Sequence, residues 1–553
     1  MARRLRQIAD PFVVAGTRGA RIRTRLRVST TDVVVLREVG EHLGALAGAD
    51  LAVRSRMGRQ TVKGPEKHAG RAVRKKTLTG QSSARWAGTI TRTTADQWER
   101  ALSNAYDRRR GLTRAIRTIE GRLAAPAGGH AGKVRGYATG AERFAKQQRL
   151  QHLQAQLVEI ETMIATGKVG VVRGGRRLAR QRHNLDTAGM TVDQWDARWN
   201  SARLFLTADG ESGKRFGNET IRICPDSGTV DIVLPAPLAG RSNTPGRART
   251  YRLDAAAVFS HRSDEWADRA GAGRAVRYDI THDPARNRWY INASWTTPAT
   301  PPPDMTALRE RRSVGVDLNA DHLACWVLTP DGNPTGPPIT IALDLTGDTA
   351  RRDGLLRQAI TTLLDHAATN GCASITIENL NFADARTTGR ETMGRGRRGK
   401  RFRRTVAGIP TGRFRDRIVG MAAARSIAVV AVDPAYTSRW GGQHWAKPLN
   451  KTFPDQTVSR HLAAAVVIGR RGKGHKARRR TGVADNDQRI AVRELPCRPD
   501  PKNLPVRNPG PRQGAPQRLR PRQTGPPHQD RTGRPGDPTP FGAAHQAILT
   551  IAQ

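Results

Sequence analysis

Aromatic residues make up only 5% of this 553-residue chain, and acidic residues are scarce relative to basic ones. The chain has 48 Asp and Glu against 94 Lys and Arg, which gives a formal net charge of +46. Self-repulsion on this scale disfavours a compact monomer unless a polyanion neutralises it. The composition therefore predicts a nucleic-acid partner, with an anionic membrane surface as the rival.

Long apolar runs and paired cysteines are also missing. No stretch approaches the about 20 apolar residues of a membrane-spanning helix, and Met1–Arg6 lack the apolar segment of a secretion signal. We therefore expect a cytoplasmic protein with no membrane partner. The cysteines Cys224, Cys325, Cys372 and Cys497 form no Cys-x-x-Cys pair, which argues against a zinc site or a disulfide framework.

The first 200 residues favour helices around a basic stretch. Residues 1–50 combine a strand-like string with a capped helical pattern, and residues 51–200 have the features of a basic helical lobe. Within this lobe, apolar residues spaced three and four apart predict a coiled-coil-like helical hairpin. Its two seams are Leu112, Ile116, Ile119 and Leu123, and then Leu150, Leu153, Leu157, Ile160 and Ile164.

Cations beside an aromatic residue mark a candidate nucleic-acid contact in the same lobe. The residues concerned are Arg74, Lys75, Lys76, Arg85 and Trp86. The cations suit a phosphate backbone, and the indole suits one stacked base. A solvated basic loop explains the same composition, and at this point both interpretations stay open.

The remaining chain divides by composition. Residues 201–297 contain short strand-like runs separated by Gly, Pro and Asp, which fits a small β-barrel. A linker rich in Pro and Thr is expected at residues 298–311. From residue 312 to 470 strands and helices alternate, which predicts an α/β layer. The tail at residues 471–553, rich in Arg, Pro and Gly, is expected to be disordered.

Within the α/β layer the apolar runs predict individual elements. Strands are expected at 313–317, 323–329, 338–343, 374–378 and 427–432, and helices at 349–369, 411–425 and 457–469.

Two of these strands end in a carboxylate. Asp317 ends Ser313-Val314-Gly315-Val316-Asp317, and Glu378 ends Ser374-Ile375-Thr376-Ile377-Glu378. A carboxylate at a strand end is costly to desolvate and usually has a cation as partner. Two such ends on neighbouring strands can hold metal ions for phosphodiester cleavage. Strand-end acids that face water are the alternative for either string alone, and in so basic a chain the pair favours a metal nuclease.

A loop rich in Gly and Arg lies between the fourth and fifth strands. Its candidate nucleic-acid-binding residues are Arg397, Arg398, Lys400, Arg401, Arg403 and Arg404. The loop contains G-x-G-x-x-G, but no strand leads directly into it, which argues against a dinucleotide site. A basic loop that contacts or gates nucleic acid is the better interpretation.

Three strings, in order, resemble those of TnpB-type transposon proteins, which are relatives of the type V CRISPR effectors. They are Val314-Gly315-Val316-Asp317-Leu318, Ile375-Thr376-Ile377-Glu378-Asn379-Leu380 and Val432-Asp433-Pro434-Ala435-Tyr436-Thr437-Ser438. The stretch Ser459–Ala465 resembles a divergent third motif. The resemblance is strongest over residues 312–470, and its flavour is that of the actinobacterial TnpB-related branch.

This resemblance implies an RNA-guided DNA endonuclease encoded by a transposable element. The implied fold is multidomain α+β: a small wedge-like β-barrel with a helical insertion, a RuvC-like domain of RNase H fold, and a basic tail. The implied partners are a guide RNA and a target DNA, and the protein would read shape while base pairing reads sequence. Asp317 and Glu378 carry over as catalytic residues and as ligands of Mg²⁺, or of Mn²⁺.

The chain departs from the family at two places. The family commonly has zinc-binding cysteines soon after Tyr-Thr-Ser, whereas residues 439–445 contain none; we expect no zinc, and aromatic packing around Trp440 and Trp445 instead. The third motif normally supplies an Asp, and the matching positions here are His461 and Leu462. His461 is therefore assigned as an auxiliary ligand or proton carrier, and Asp433 and Asp455 as loop acids.

Two functions follow from different classes. The first is a RuvC-like, metal-dependent endonuclease weakened by an incomplete acidic triad. The alternative is an RNA-guided DNA-binding protein that does not cleave, or a decayed transposon accessory protein. The missing third carboxylate favours the alternative.

Overall fold

The computed structural model describes residues 7–16, 18–59, 69–132, 134–298, 301–347, 349–380 and 411–477. Residues Met1–Pro496 form one compact unit and Cys497–Gln553 a second, and all described residues belong to the first. The basic loop with its six candidate residues (397–404) and the tail from residue 478 onward lie outside the described residues. No helix among those described is long and apolar enough to cross a bilayer.

The described strands and helices alternate between an N-terminal and a C-terminal part. The strands are β1 (Phe12–Val13), β2 (Gly19–Leu26), β3 (His130–Ala131), β4 (Val134–Arg135), β5 (Thr207–Ala208), β6 (Ile221–Ile223), β7 (Val230–Val233), β8 (Thr250–Arg252), β9 (Arg277–Asp283), β10 (Arg288–Thr296), β11 (Ser313–Leu318), β12 (His322–Leu328), β13 (Pro334–Ala342), β14 (Ser374–Glu378) and β15 (Ala428–Val432). The helices are α1 (Thr30–Met57), α2 (Ala69–Thr79), α3 (Ala84–Leu123), α4 (Gly140–Thr166), α5 (Arg176–Gln181), α6 (Leu185–Ala188), α7 (Val192–Arg203), α8 (Ser263–Gly271), α9 (Met305–Arg309), α10 (Thr349–Thr369), α11 (Thr411–Ala423), α12 (Thr437–Gly441), α13 (Lys447–Thr452) and α14 (Arg460–Gly472).

Helix α1 begins at a capping box. The Ser29 hydroxyl accepts a hydrogen bond from the Asp32 backbone N–H at 3.1 Å, and the Asp32 carboxylate accepts one from the Ser29 N–H at 3.3 Å. Together these bonds satisfy two backbone donors that a helix start leaves free. Asp32 is fully buried and also accepts a hydrogen bond from the Tyr251 hydroxyl on β8. The cap therefore ties α1 to the small β region.

Two separate sheets build that region, where the sequence predicted a barrel. One has the order β2-β10-β9-β5 and the other the order β6-β7-β8. Both bury alternate residues in one shared core with α1 and the start of α3, as the two-residue period of a strand requires. The single closed sheet of a barrel is not among the sheets that the structure describes, so the barrel is not confirmed.

The predicted helical hairpin is confirmed as α3 and α4. Its shared core contains Leu112, Ile116 and Ile119 from the first seam and Leu153, Ile160 and Ile164 from the second. The α3 N-cap is Ser83, whose hydroxyl accepts from the Trp86 N–H.

The C-terminal sheet has the order β1-β15-β14-β11-β12-β13. Strands β11, β12 and β13 pair antiparallel in sequence, whereas β11, β14 and β15 pair parallel. Residues 313–432 thus form the mixed five-stranded sheet of an RNase H-like fold, in agreement with the predicted α/β layer. The short N-terminal strand β1 adds an antiparallel sixth strand beside β15, which the sequence did not predict.

Helix α14 packs unusually close to strand β11. A Cβ at Gly315 would overlap the carbonyl oxygen of Ala465 and the backbone of Gly469. The two glycines therefore let the helix axis approach the strand, as the lack of a side chain at each permits. The apolar residues Val466, Val467 and Ile468 are fully buried at this contact.

The end of α14 corrects the predicted boundary at residue 470. The helix continues through Gly472, and Arg470 and Arg471 are buried, with 9% and 6% of their surface exposed. Arg470 donates to the carbonyl oxygens of Gly332 and Lys476, and Lys473 donates to those of Arg309 and Arg311. These cations satisfy buried carbonyl groups, so the first residues assigned to the tail belong to the fold.

Candidate active site

Asp317 and Glu378 lie on adjacent strands, as predicted. In the parallel pair of β11 and β14, Val316 is opposite Ile377. The next residue on each strand is therefore the acid, and the two side chains leave the same edge of the sheet. Asp317 is buried, with 4% of its surface exposed. The strand ends thus bring two carboxylates, 61 positions apart in the sequence, to one point.

His461 contacts Asp317 directly. Its Nδ1 lies 2.9 Å from Oδ2 of Asp317. The Asn319 amide donates to the same carboxylate oxygen at 3.1 Å and lies 3.3 Å from Nε2 of His322. The His322 ring stands edge-on to the His461 ring, with the centroids 5.2 Å apart. The other side of His322 contacts Asp321, at 2.7 Å from Nδ1 to Oδ1.

Helix α14 holds His461 in place. The helix begins after Ser459, whose hydroxyl accepts from the Leu462 N–H at 3.2 Å. His461 is therefore in the first turn, where the N-cap fixes the backbone. Leu462 packs in the apolar core with Trp326 and Trp440. Of the two positions that match the third motif, only His461 reaches the acids.

Glu378 is a buried acid with a perturbed charge. Burial, followed by the nearby negative charge of Asp317, raises the pKa of Glu378 to about 7. The Thr437 hydroxyl donates a hydrogen bond to Oε1, and Arg471 lies near enough to oppose the rise in this pKa, but neither offsets it. Two acids that disfavour each other's charge in a buried place are a common feature of catalytic sites.

This donor set fits a divalent cation in chemistry but is small. Carboxylate oxygens are the ligands that Mg²⁺ prefers, and a cation between Asp317 and Glu378 would relieve the repulsion that raises the Glu378 pKa. Among the described residues, however, no group of three His, Cys, Asp or Glu side chains is arranged to hold a metal. The site therefore offers two carboxylates and an adjacent imidazole.

The two further acids considered from the sequence lie elsewhere in hydrogen bonding. Asp433 follows β15 and is buried; its oxygens accept from the backbone N–H groups of Ala435 at 2.9 Å and Ala9 at 3.1 Å. Asp433 thus fixes the loop that carries Thr437 and the segment that precedes β1. Asp455 is exposed in the turn before α14.

Two of the predicted nucleic-acid contacts are wrong. Arg74 is buried and donates to Asp50 with 2.5 Å between Nη1 and Oδ2. Trp86 has no exposed surface, and its indole donates to the Val233 carbonyl oxygen at 2.8 Å. Neither side chain is accessible to a strand of nucleic acid, because each lies in a core and satisfies a buried polar group there.

The other three candidates in that stretch are accessible. Lys75 and Lys76 are exposed on α2. Arg85 is about half exposed and forms ion pairs with Glu211 and Glu219. A nucleic-acid role for these three stays a prediction.

The aromatic segment after Tyr436 packs as expected. Trp440 and Trp445 have 2% and 0% of their surface exposed and share a core with Leu449 and Val467. Arg471 and Arg470 place their guanidinium groups 5.5 Å and 5.2 Å from the two indole rings. The absence of zinc stays a prediction.

Sequence reasoning missed three residues of this site: Asn319, His322 and Thr437. Asn319 and His322 follow directly after β11, so a turn of polar residues behind a strand-end acid was a usable signal. Thr437 meets Glu378 across 59 residues of sequence, and no local pattern reports such a contact.

Comparison with known proteins adds little. No protein-family model matches this chain, and no curated protein sequence matches it. Among solved structures, RuvC of T. thermophilus in complex with a Holliday junction substrate aligns at 14% identity over 29% of this chain and 91% of that one, with a TM-score of 0.21. A Cas12f1–sgRNA–target DNA complex aligns at 12% identity over 82% of this chain and 98% of that one, with a TM-score of 0.29. At these scores neither similarity supports an argument about this chain.

Proposed function

We propose that this protein is an RNA-guided DNA endonuclease of the TnpB type, encoded by a transposable element, with a RuvC-like site. The observation that carries the proposal is the meeting of Asp317 and Glu378 at the ends of two parallel strands, with His461 against Asp317. The charge of +46 supports a nucleic-acid partner, since cations that neutralise phosphates release counterions. The guide RNA follows from the resemblance of the three motifs.

The residues of the site have separate roles in this proposal. Asp317 and Glu378 would hold Mg²⁺ or Mn²⁺, which when bound supplies charge stabilisation at the scissile phosphate. His461 and Asn319 orient the Asp317 carboxylate, and Thr437 orients that of Glu378. Because His461 is part of the first turn of a buried helix, its imidazole is held ready to accept or give a proton beside Asp317.

The experiment is guide-dependent cleavage of a plasmid in Mg²⁺, with the RNA that co-purifies with the protein as guide. Asp317→Asn keeps the shape of the side chain and removes its charge, so we expect it to abolish cleavage and retain target binding. Salt-sensitive binding of the target by both proteins is the control. Undiminished cleavage by Asp317→Asn would refute the assigned site.

A second function is favoured by one specific observation: the described residues offer no three-membered group of metal ligands. On that ground the alternative is an RNA-guided DNA-binding protein that acts by occupancy. His461→Asp decides between the two, because it adds a third carboxylate beside Asp317. Leu462→Asp is unsuitable because Leu462 is buried among apolar side chains. Wild-type cleavage supports the nuclease; cleavage that appears only in His461→Asp supports the binder.

A further inference from the structure

The three-stranded sheet β6-β7-β8 carries a row of charge on one face. Arg222 pairs with Asp231, and Asp231 pairs with Arg252, in the register of the three strands. The three side chains therefore share a face. The opposite face is formed by apolar neighbours such as Ile221 and Ile232, which are buried in the core.

This row is the floor of a cavity of about 170 Å³. Its remaining walls include Arg215, Cys224, Ser227, Thr229 and Arg247. Four arginines thus surround one carboxylate. Hydroxyl groups from Ser227 and Thr229 add further donors that suit an anion.

Asp231 is shared by only two of the arginines. Its Oδ1 accepts from Arg252 at 2.8 Å, and its Oδ2 lies 3.3 Å from Arg247. Both partners are more exposed than Asp231 itself, which has 11% of its side chain exposed. The one acid of the cavity is therefore already engaged at both oxygens.

Arg222 is the cation left with positive neighbours. Its Nη2 donates to the Thr250 hydroxyl at 3.4 Å, and its buried Nε has no hydrogen-bond partner among the described residues. Burial and then the positive charge of Arg247 lower the pKa of Arg222, whereas hydrogen bonding to Asp231 raises the pKa of Arg252. A guanidinium in this state gains from an incoming anion both a partner for Nε and relief from its neighbours.

We propose that this cavity is a binding site for the terminal phosphate of a nucleic-acid strand. Guanidinium groups match the oxygens of phosphate in a bidentate manner. A terminal phosphate carries close to two negative charges, whereas each phosphate within a strand carries one, so four arginines favour the end. An enclosed cavity also receives a terminal group more readily than a continuous backbone, which needs an open groove.

The proposal rests on the nucleic-acid partner of the proposed function but not on cleavage. The test compares fluorescent single strands of one sequence, with a 5′ phosphate, a 3′ phosphate or hydroxyl ends, by anisotropy with the full-length protein. We expect the wild type to bind one phosphorylated strand about tenfold more tightly than the hydroxyl-ended strand, a difference of about 1.4 kcal/mol. Inorganic phosphate should compete away this preference and leave the remaining affinity intact.

Two variants separate the cavity from general charge. Arg222→Gln should remove the preference, whereas Arg241→Gln, which removes an exposed arginine paired with Glu38 outside the cavity, should retain it. Circular dichroism checks that both fold. Arg215→Gln is the second cavity variant; Arg215 is exposed, so its loss leaves the fold intact, and it should weaken the preference.

Three outcomes would overturn the proposal. These are equal binding of all three strands by the wild type, a preference that survives in folded Arg222→Gln and in Arg215→Gln, and competition by free phosphate that affects every strand equally. Binding of the hydroxyl-ended strand reports on the nucleic-acid partner itself. If that binding persists while the end preference is absent, the cavity proposal fails alone; if no strand binds, the proposed function fails as well.

Discussion

Buried acids have opposite surroundings in the two halves of this molecule. In the N-terminal part, Asp50 is buried against Arg74, with 2.5 Å between the charged groups. In the RNase H-like sheet, Asp317 is just as buried, but its neighbours are the acid Glu378 and the imidazole of His461. The first arrangement neutralises itself, whereas the second concentrates negative charge. A buried acid with a cation stabilises a fold, and a buried pair of acids is held there by the fold for another purpose.

The largest effect should come from neutralising each of these acids in turn. Asp50→Asn leaves Arg74 as an uncompensated buried charge, so we expect a loss of about 3–5 kcal/mol in the free energy of unfolding. Asp317→Asn removes a repulsion, so we expect no loss. Urea denaturation of the two variants in metal-free buffer measures both. A comparable loss in the two variants would remove the distinction between the halves.

A smaller effect should appear in the pH dependence of stability. The pKa of Glu378 is raised from 4.5 to about 7 in the folded protein. Its contribution to stability is therefore fully present below pH 4.5 and is lost as pH rises to 7, by about 3 kcal/mol in metal-free buffer. Glu378→Gln should lose this part of the pH dependence.

Magnesium sharpens the same measurement. A divalent cation held by Asp317 and Glu378 favours the ionised form of Glu378, so excess Mg²⁺ should restore the stability that is lost near pH 7. Thermal denaturation at pH 5 and pH 7, with and without Mg²⁺, gives the comparison. If Mg²⁺ stabilises Glu378→Gln as much as the wild type, the cation binds elsewhere.

The smallest effect concerns two helix caps, one in each half. Ser29 caps α1 and Ser459 caps α14 through similar hydrogen bonds, at 3.1 Å and 3.2 Å. Replacing either serine by Ala should cost about 1 kcal/mol of stability. Only Ser459→Ala should also slow plasmid cleavage, because only that cap positions a residue of the site, His461. An equal reduction of cleavage by Ser29→Ala would mean that cleavage follows stability alone.

The elements of the C-terminal sheet were predictable because its strands are buried on both faces. Such strands have continuous apolar runs, and β14 (Ser374–Glu378) and α10 (Thr349–Thr369) were predicted with their observed bounds. The acids at the strand ends stand out against these runs. Their adjacency also follows from sequence, because parallel strands place their carboxyl ends at one edge.

The sequence could not separate buried cations from binding cations. Arg74 and Lys75 are neighbours in one basic string, yet only Arg74 turns into the core to meet Asp50. The partner is 24 positions away on another helix, and composition carries no record of it. The same reason hid Arg470 and Arg471, which satisfy carbonyl groups from distant loops.

The two-residue strand β1 also has a consequence for dissecting the chain. Phe12 and Val13 pair with Ala431 and Val430, and the Ala9 N–H reaches Asp433 across 424 positions. A fragment that starts at residue 312 would retain every candidate catalytic side chain, but its β15 would have an open edge of unpaired backbone groups, and such an edge invites other chains to pair with it. The first residues of the chain therefore act as a built-in cover, which an expression fragment of the catalytic sheet must supply again.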